Sequence, residues 1–228
     1  MSSDPAKPRV RSAERRKRAP GRPPRSPDRR PGTSREQLLD AAIACFVRKG
    51  IAATSLRDIA AEAHASPALL HYYFGDKAQL QTALVEEKLL PAIAPLRAPL
   101  AQAGDDVAAL VAGFVQGVGR VAIAHPWLPP LWIREVLCEG GALREVLFER
   151  IGPQIPRVMV QRFAAAQARG ALNADLDPRL LMVSLVGLTL FPIAGAPIWR
   201  RLFEADDLDL ETLRRHTLTL LDRGLEVS

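Results

Sequence analysis

The spacing of apolar residues near position 40 predicts the first ordered helix of the chain. Five of them recur at intervals of three and four and form its buried face: Leu39, Ala42, Ile43, Phe46 and Val47. The helix is predicted to begin at Thr33 or Ser34, because Thr33 with Glu36, or Ser34 with Gln37, would form a capping box. It is predicted to end at Lys49, which a glycine follows.

Two short helices are predicted next. The second helix begins at Thr54 or Ser55, both good N-caps, and is followed by the connection "AHA". Ser66 caps the third helix, and Pro67 suits its first position, where a missing N–H costs nothing. This helix should end near Phe74, and the two together span about residues 55–74.

A fourth helix is predicted to begin after Asp76 and to stop at Pro91, where "PAIAPLRAP" has the character of a linker. Beyond it the pattern remains helical, with no convincing alternation of a strand, and predicts an all-α protein. The predicted helical stretches are 105–124, 127–138, 142–169 with kinks at its two prolines, 178–191 and 209–223.

The uncharged stretch 180–199 has the length of a membrane-spanning helix. Pro192 and Pro197 interrupt it, so the continuous helix should cover only residues 178–191, roughly 21 Å at about 1.5 Å per residue. That is short of a hydrocarbon core of about 30 Å. The sequence therefore favours a helix buried in protein, and no membrane association is expected.

Charge is concentrated at the N-terminus. Residues 1–34 carry eleven Lys/Arg and three acidic residues, a net charge of +8, which leaves −2 for the rest of a chain of total charge +6. This segment is rich in proline and poor in large apolar residues, so we expect residues 1–31 to be disordered. The arginines of "GRPPR", Gly21–Arg25, could enter a DNA minor groove, or the segment could be only a solubilising tail.

Catalytic and metal-binding signatures are missing from the sequence. The four histidines have no metal spacing, there is no nucleophile elbow and no phosphate-binding glycine loop, so we expect neither an enzyme nor a cofactor. Cys45 and Cys138 are 93 positions apart, and are interpreted as small hydrophobic residues of a cytoplasmic protein rather than as a redox pair.

Two short helices joined by a three-residue turn are typical of a helix-turn-helix. The run "TSLRDIAAEAHASPALLHYYFGDKAQL", with the preceding "REQLLDAAIACFVRKGIAAT", resembles the TetR/AcrR family of bacterial transcriptional regulators. The resemblance implies a DNA-binding domain over residues 32–92 and a helical effector-binding and dimerisation domain over residues 93–228. It also implies a repressor released by a ligand, with a DNA-binding adaptor or architectural protein lacking an effector as the alternative.

Carried over position by position, the family pattern implies ten DNA-contacting residues: Thr54, Arg57, Ser66, Pro67, Ala68, Leu69, His71, Tyr72, Tyr73 and Lys77. Tyr73 and Lys77 match positions that contact the DNA backbone, and Arg57 is the candidate for reading guanine. The chain departs from the family at His64, where glycine is usual in the turn, at Ala65, where valine is common, and at His71, where tyrosine is most frequent.

The resemblance further implies a homodimer on a pseudo-palindromic operator. Helices 178–191 and 209–223 are the candidates for its four-helix interface. A small apolar or amphipathic effector is expected between the helices of residues 105–199, lined by seven candidates: Phe114, Trp127, Trp132, Met159, Phe163, Met182 and Phe191. His125, Arg134 and Glu135 could orient such a ligand or could lie on the surface.

Overall fold

The computed structural model describes Met1 and residues 34–225, with side chains as far as Asp222. The predictions for the basic segment therefore lie outside the described residues. All regular elements described are helical, as predicted. The α-helices are α1 (Arg35–Lys49), α2 (Leu56–Glu62), α3 (Pro67–Phe74), α4 (Lys77–Leu84), α5 (Leu90–Ile93), α6 (Arg97–Gln102), α7 (Val107–Ala124), α8 (Leu128–Trp132), α9 (Arg144–Val146), α10 (Pro156–Ala168), α11 (Pro178–Ala194), α12 (Ala196–Phe203) and α13 (Leu210–Leu225).

Local capping chemistry determines where the N-terminal helices begin. Ser34 and Gln37 form the capping box of α1, and Ser55 and Asp58 form that of α2. Ser66 accepts a hydrogen bond from the Leu69 N–H at the start of α3. These starts agree with the predicted ones, and Ser34 and Ser55 are the correct members of the two pairs left open.

The first four α-helices share one apolar core. Phe46 of α1, Ile59 of α2, Leu70 and Phe74 of α3 and Leu80 of α4 are all buried within it. Because Leu70 and Phe74 are spaced by four, they anchor one face of α3 and leave the opposite face exposed. The core thereby sets how α3 is presented to a partner.

The predicted stop and linker at Pro91 are wrong. The helical path continues from α4 through a π-helical segment, Val85–Leu89, into α5, a 3-10 turn at Ala94–Leu96, and α6. Burial explains the continuation, since Ala92, Ile93, Leu96 and Leu100 recur at helical spacing and are all buried. A π-helical turn, which is wider than an α-helical one, lies just before Pro91. Pro91 is the second residue of α5, a position at which the missing N–H of proline is tolerated.

Helix α7 lies at the centre of the C-terminal half and packs against α6, α10, α11 and α13. It has 18 residues and is long and apolar enough to cross a membrane by length and composition alone. Leu110, Phe114 and Val118 are nevertheless buried inside the protein, so packing of the core accounts for its hydropathy.

Helix α11 extends further than predicted and is not buried on all sides. It passes through Pro192 to Ala194, and the Trp199 indole N–H donates to the Pro192 carbonyl at 2.7 Å. The chain then bends by 72° into α12, which was not predicted. Leu181 and Leu185 of α11 are buried, whereas the exposed part of this helix forms an apolar surface considered below.

The turn between α2 and α3 has a left-handed residue. His64 has φ of 51°, and the Ala65 N–H bonds to the Ala60 carbonyl at 2.8 Å, which closes the turn. This conformation suits glycine and is tolerated by His better than by β-branched residues. It gives a physical reason for the glycine that is usual at this position.

We expect His64→Val to lower the free energy of unfolding by about 1–2 kcal/mol, because a β-branched residue is strained at positive φ. His64→Gly should leave it unchanged or slightly raised, since relief of strain offsets the entropy of glycine in the unfolded chain. Urea unfolding at fixed protein concentration measures both. Ala61→Val, at an exposed helical position of α2, is the matched control, and an equal loss there would contradict the assignment.

Candidate functional site

Helix α3 presents a polar and aromatic surface opposite its buried face. Pro67 and Ala68 lie exposed in its first turn, His71 and Tyr72 follow, and the Tyr72 side chain is 80% exposed. Leu69 is half-buried against the core. The exposed residues at the start of a second helix in a helix-turn-helix are those that reach base edges in a major groove.

Tyr72 and Tyr73 diverge as neighbours on a helix must. Tyr73 is 36% exposed, and its ring meets that of Tyr72 edge-on with centroids 5.3 Å apart. The two side chains therefore differ in exposure although their rings are in contact. This arrangement fits the predicted separation of a base-facing and a backbone-facing tyrosine, which stays a prediction.

Thr54 does not lie where a phosphate contact needs it. Its side chain is buried, and its hydroxyl donates to the Gly50 carbonyl at 2.7 Å. The predicted contact of this hydroxyl with DNA is therefore wrong. The side chain is not accessible to DNA, and its O–H is already bound to a backbone carbonyl. Thr54 instead fixes the connection between α1 and α2.

The positive charges near α2 differ in their availability. Arg48 pairs with Glu62 and Lys49 pairs with Asp58, both at 2.6 Å. Hydrogen bonds from Lys49 and Ser55 hold the pKa of Asp58 well below its usual range, so this carboxylate stays charged at neutral pH.

Arg57 is exposed on α2 and makes no hydrogen bond or ion pair to any other residue in the described part of the chain. Lys77, in the first turn of α4, donates to the Ala52 carbonyl at 2.9 Å. Ammonium groups have three donors, so two of those on Lys77 remain for an anion beside the free N–H groups of this helix start.

A cavity of about 410 Å³ lies in the C-terminal half, within the range of small-molecule sites. Phe114, Trp132 and Met182 line it, as predicted. The other four predicted lining residues lie elsewhere: Met159 and Phe163 are buried in the core, Trp127 packs near His125, and Phe191 is 68% exposed.

Part of the cavity wall comes from outside the predicted pocket region of residues 105–199. Ile93 and Leu96, from the stretch interpreted as a linker, form one side, whereas Leu137 and Ile151 lie within that region. Among the described residues the cavity lining has no charged side chain, and the indole of Trp132 carries its one side-chain N–H or O–H group. Its chemistry therefore favours an apolar occupant.

The family comparison agrees with the geometry of α1–α4. Residues 38–84 match the family model described as "Bacterial regulatory proteins, tetR family". This match identifies residues 38–84 as a TetR-type DNA-binding region. The chain is a DNA-binding transcriptional regulator, as the sequence resemblance had predicted.

Similarity to known proteins extends beyond the DNA-binding region. The chain is 27% identical over 186 residues to the HTH-type transcriptional repressor SCO4008 of Streptomyces coelicolor, covering 82% of this chain and 92% of that protein. Over 55 residues, 24% of this chain and 28% of the relative, it is 47% identical to the HTH-type nicotine-responsive transcriptional repressor HdnoR of Paenarthrobacter nicotinovorans.

Solved structures share the fold across most of the chain. The ketosteroid transcriptional regulator KstR2 of Mycobacterium tuberculosis aligns with a TM-score of 0.69 at 20% identity, covering 87% of this chain and 98% of that one. FadR of Bacillus subtilis, solved with stearoyl-CoA, aligns with a TM-score of 0.63 at 19% identity, covering 85% and 100%. At these identities the likeness concerns the fold.

In this regulator Glu135 connects the cavity wall to the DNA-binding helices. It is 4% exposed, and its Oε1 accepts from the Ile51 N–H at 2.9 Å while its Oε2 accepts from the Ala142 N–H at 3.1 Å. Arg134, beside it, donates to the Arg48 carbonyl at 3.1 Å. Neither of these side chains lines the cavity, so the expectation that they orient a ligand is not supported.

The cysteines of this regulator occupy different environments. Cys45 is fully buried, and burial raises the pKa of its thiol, in agreement with a small hydrophobic role. Cys138 is exposed at the end of the π-helical segment Ile133–Leu137, so the same interpretation does not fit it.

We expect Arg57→Ala to relax sequence preference at one base pair of each half-site, and Lys77→Ala to weaken binding to all sequences. Losing one phosphate contact should also reduce the slope of log affinity against log salt by about one. Selection of bound fragments and salt titrations measure these effects. Arg120→Ala, at an exposed position on α7, is the control, and unchanged behaviour of both test variants would contradict the two roles.

Proposed function

We propose that this protein is a homodimeric repressor that leaves a pseudo-palindromic operator when an apolar effector enters the cavity. The proposal rests above all on the segment Ile133–Leu137. Trp132 and Leu137, which flank and end it, line the cavity, while Glu135 binds the Ile51 N–H of the DNA-binding domain. Any shift of this wall must move or break a contact that supports α2.

The close packing around Glu135 supports the proposal that a shift of the cavity wall is passed on to the DNA-binding helices. A Cβ at Gly141 would lie 2.3 Å from the Glu135 carbonyl oxygen, and one at Gly50 would lie 3.2 Å from its Oε1. Both glycines thus permit a close approach that no larger residue allows without displacement. Packed interfaces of this kind convert small shifts into discrete rearrangements rather than absorbing them.

The apolar face of α11 supports dimerisation. Leu180, Val183 and Phe191 are each at least 64% exposed on this helix, and Leu220 of α13 is 54% exposed. These residues, together with the exposed apolar side chains of α12, make an extended apolar surface for a single chain to present. A second copy packed by two-fold symmetry would cover it and would place two copies of α3 on one operator.

Effector chemistry follows from the lining of the cavity. In an apolar cavity with a single indole N–H, burial of hydrocarbon surface favours binding and burial of a charge opposes it. The names of the similar proteins include a ketosteroid regulator, a fatty acid regulator solved with stearoyl-CoA and a nicotine-responsive repressor. We therefore propose a largely apolar ring system or hydrocarbon chain as the effector, bound in the cavity of this chain.

DNA contacts are proposed to come from Arg57, the exposed residues of α3 and Lys77, with Ser66 as the N-cap that positions them. We propose the limits 32–92 and 93–228 as a division of function only. The described residues on both sides of position 92 belong to one compact unit. A DNA-binding adaptor without an effector is the second candidate, and absence of any released complex would favour it.

The central test is selection of genomic fragments bound by the full-length protein, followed by footprinting. We expect one two-fold symmetric site, protected by a dimer and located near regulated genes. Failure to enrich any fragment would contradict the proposal. A footprint without symmetry would contradict its dimeric form.

Effector release is tested on that operator with apolar compounds, charged compounds of equal size serving as controls. In Ala122→Phe the larger side chain of α7 fills the cavity, so this variant should still bind DNA. No compound that releases the wild type from the operator should release it, because the space for the effector is filled. Release of the filled variant at wild-type concentrations would place the effector outside this cavity.

The interface is tested by Leu180→Glu combined with Leu220→Glu, since neither side chain lines the cavity. Burying two unpaired carboxylates per chain should convert the dimer to monomer in sedimentation equilibrium and weaken operator binding at least tenfold. Phe148→Glu is the matched control, since this side chain is equally exposed but lies outside α11 and α13. A double variant that stays dimeric would place the interface elsewhere.

A further inference from the structure

The ring of His71 is held in one tautomer by its own helix end. Its Nδ1 lies 2.6 Å from the Gly75 carbonyl oxygen. A carbonyl oxygen can only accept a hydrogen bond, so the hydrogen must be on Nδ1. In the neutral imidazole the other nitrogen, Nε2, then carries a lone pair and no hydrogen.

The loop that receives this hydrogen bond is itself fixed. Gly75 has φ of 72°, a conformation that favours glycine, and its N–H donates back to the His71 carbonyl at 2.9 Å. Asp76 next to it caps α4 by accepting from the Gln79 N–H at 2.8 Å. The acceptor of His71 is thus part of the junction between α3 and α4, and the ring orientation is prepared before any partner arrives.

The second nitrogen faces away from the protein. The hydrogen on Nδ1 and the lone pair on Nε2 point to widely separated sides of the ring, so a bond from Nδ1 to Gly75 turns Nε2 outward. The side chain is exposed on the same surface as Tyr72, and Nε2 has no hydrogen-bond partner in the described part of the chain. This surface therefore displays a fixed acceptor.

We infer that His71 is a specificity-determining residue that accepts a hydrogen bond from an exocyclic amino group, N6 of adenine or N4 of cytosine, in the major groove. These are the two amino donors that base pairs expose there. Guanine N7 and O6 and thymine O4 are acceptors, as are phosphate oxygens, and each would face the Nε2 lone pair unfavourably. This inference rests on the proposed placement of α3 in the groove.

The tautomer is tested directly by NMR on protein labelled with ¹⁵N at histidine. In the free full-length protein we expect His71 to show a protonated Nδ1 and an unprotonated Nε2 at a pH where the ring is neutral. His71→Phe identifies its signals and keeps an aromatic ring at this position without a ring nitrogen. A protonated Nε2 in the neutral ring would overturn the inference without any DNA experiment.

The readout is tested on the selected operator. Comparing fragments selected by the wild type and by His71→Phe should reveal one position per half-site where adenine or cytosine is required only by the wild type. Replacing that base by its analogue without the amino group, purine riboside for adenosine or pyrimidin-2-one riboside for cytidine, in deoxy form, should weaken wild-type binding about threefold to tenfold, as expected for one neutral hydrogen bond. His71→Phe should not distinguish the two.

A matched control and the contrary outcomes separate this inference from the proposed function. Tyr72→Phe should retain the full sensitivity to the amino group, because it leaves the bond between His71 and Gly75 intact. Operator binding that is equally sensitive in wild type and His71→Phe, or a His71-dependent preference for guanine or thymine, would overturn the role of His71 alone. Failure of the wild type to select any DNA would overturn the proposed function and this role with it.

Discussion

The connection between α1 and α2 is the point on which the rest of the molecule depends. Three elements hold these few residues: Glu135 accepts from the Ile51 N–H, Lys77 donates to the Ala52 carbonyl, and the Thr54 hydroxyl donates to the Gly50 carbonyl. The first two contacts join distant parts of the chain to this connection, and the third closes the connection on itself. The orientation of α2, and through the turn that of α3, is therefore set jointly by the DNA-binding core and by the wall of the cavity.

Much of the DNA-binding half could be predicted from the sequence because its determinants are local. Ser55, Ser66 and Asp76 each cap the helix that follows within three residues, and such chemistry is visible without tertiary structure. The spacing of Leu70 and Phe74 likewise settles which face of α3 is buried. The family resemblance added which exposed positions are expected to contact DNA, and periodicity alone does not supply that.

The errors arise where tertiary packing overrides a local signal. Pro91 reads as a helix stop, but burial of Ile93 and Leu96 and a π-helical turn carry the chain past it and into the cavity wall. The sequence predicts a surface hydroxyl at Thr54, but this hydroxyl donates to the carbonyl of Gly50, four residues earlier. Glu135 could not be placed, since its partners are 84 and 7 residues away.

The lining of the cavity, apolar apart from the Trp132 indole N–H, has a consequence for what the regulator can discriminate. A site that hydrogen-bonds its ligand rejects an analogue lacking the matching group strongly, whereas one methylene in a hydrophobic pocket changes binding by only about 1–3 kcal/mol. Selection by volume and shape alone is therefore graded. If the proposed effector binds in this cavity, the regulator would respond to a class of molecules of similar bulk rather than to one metabolite.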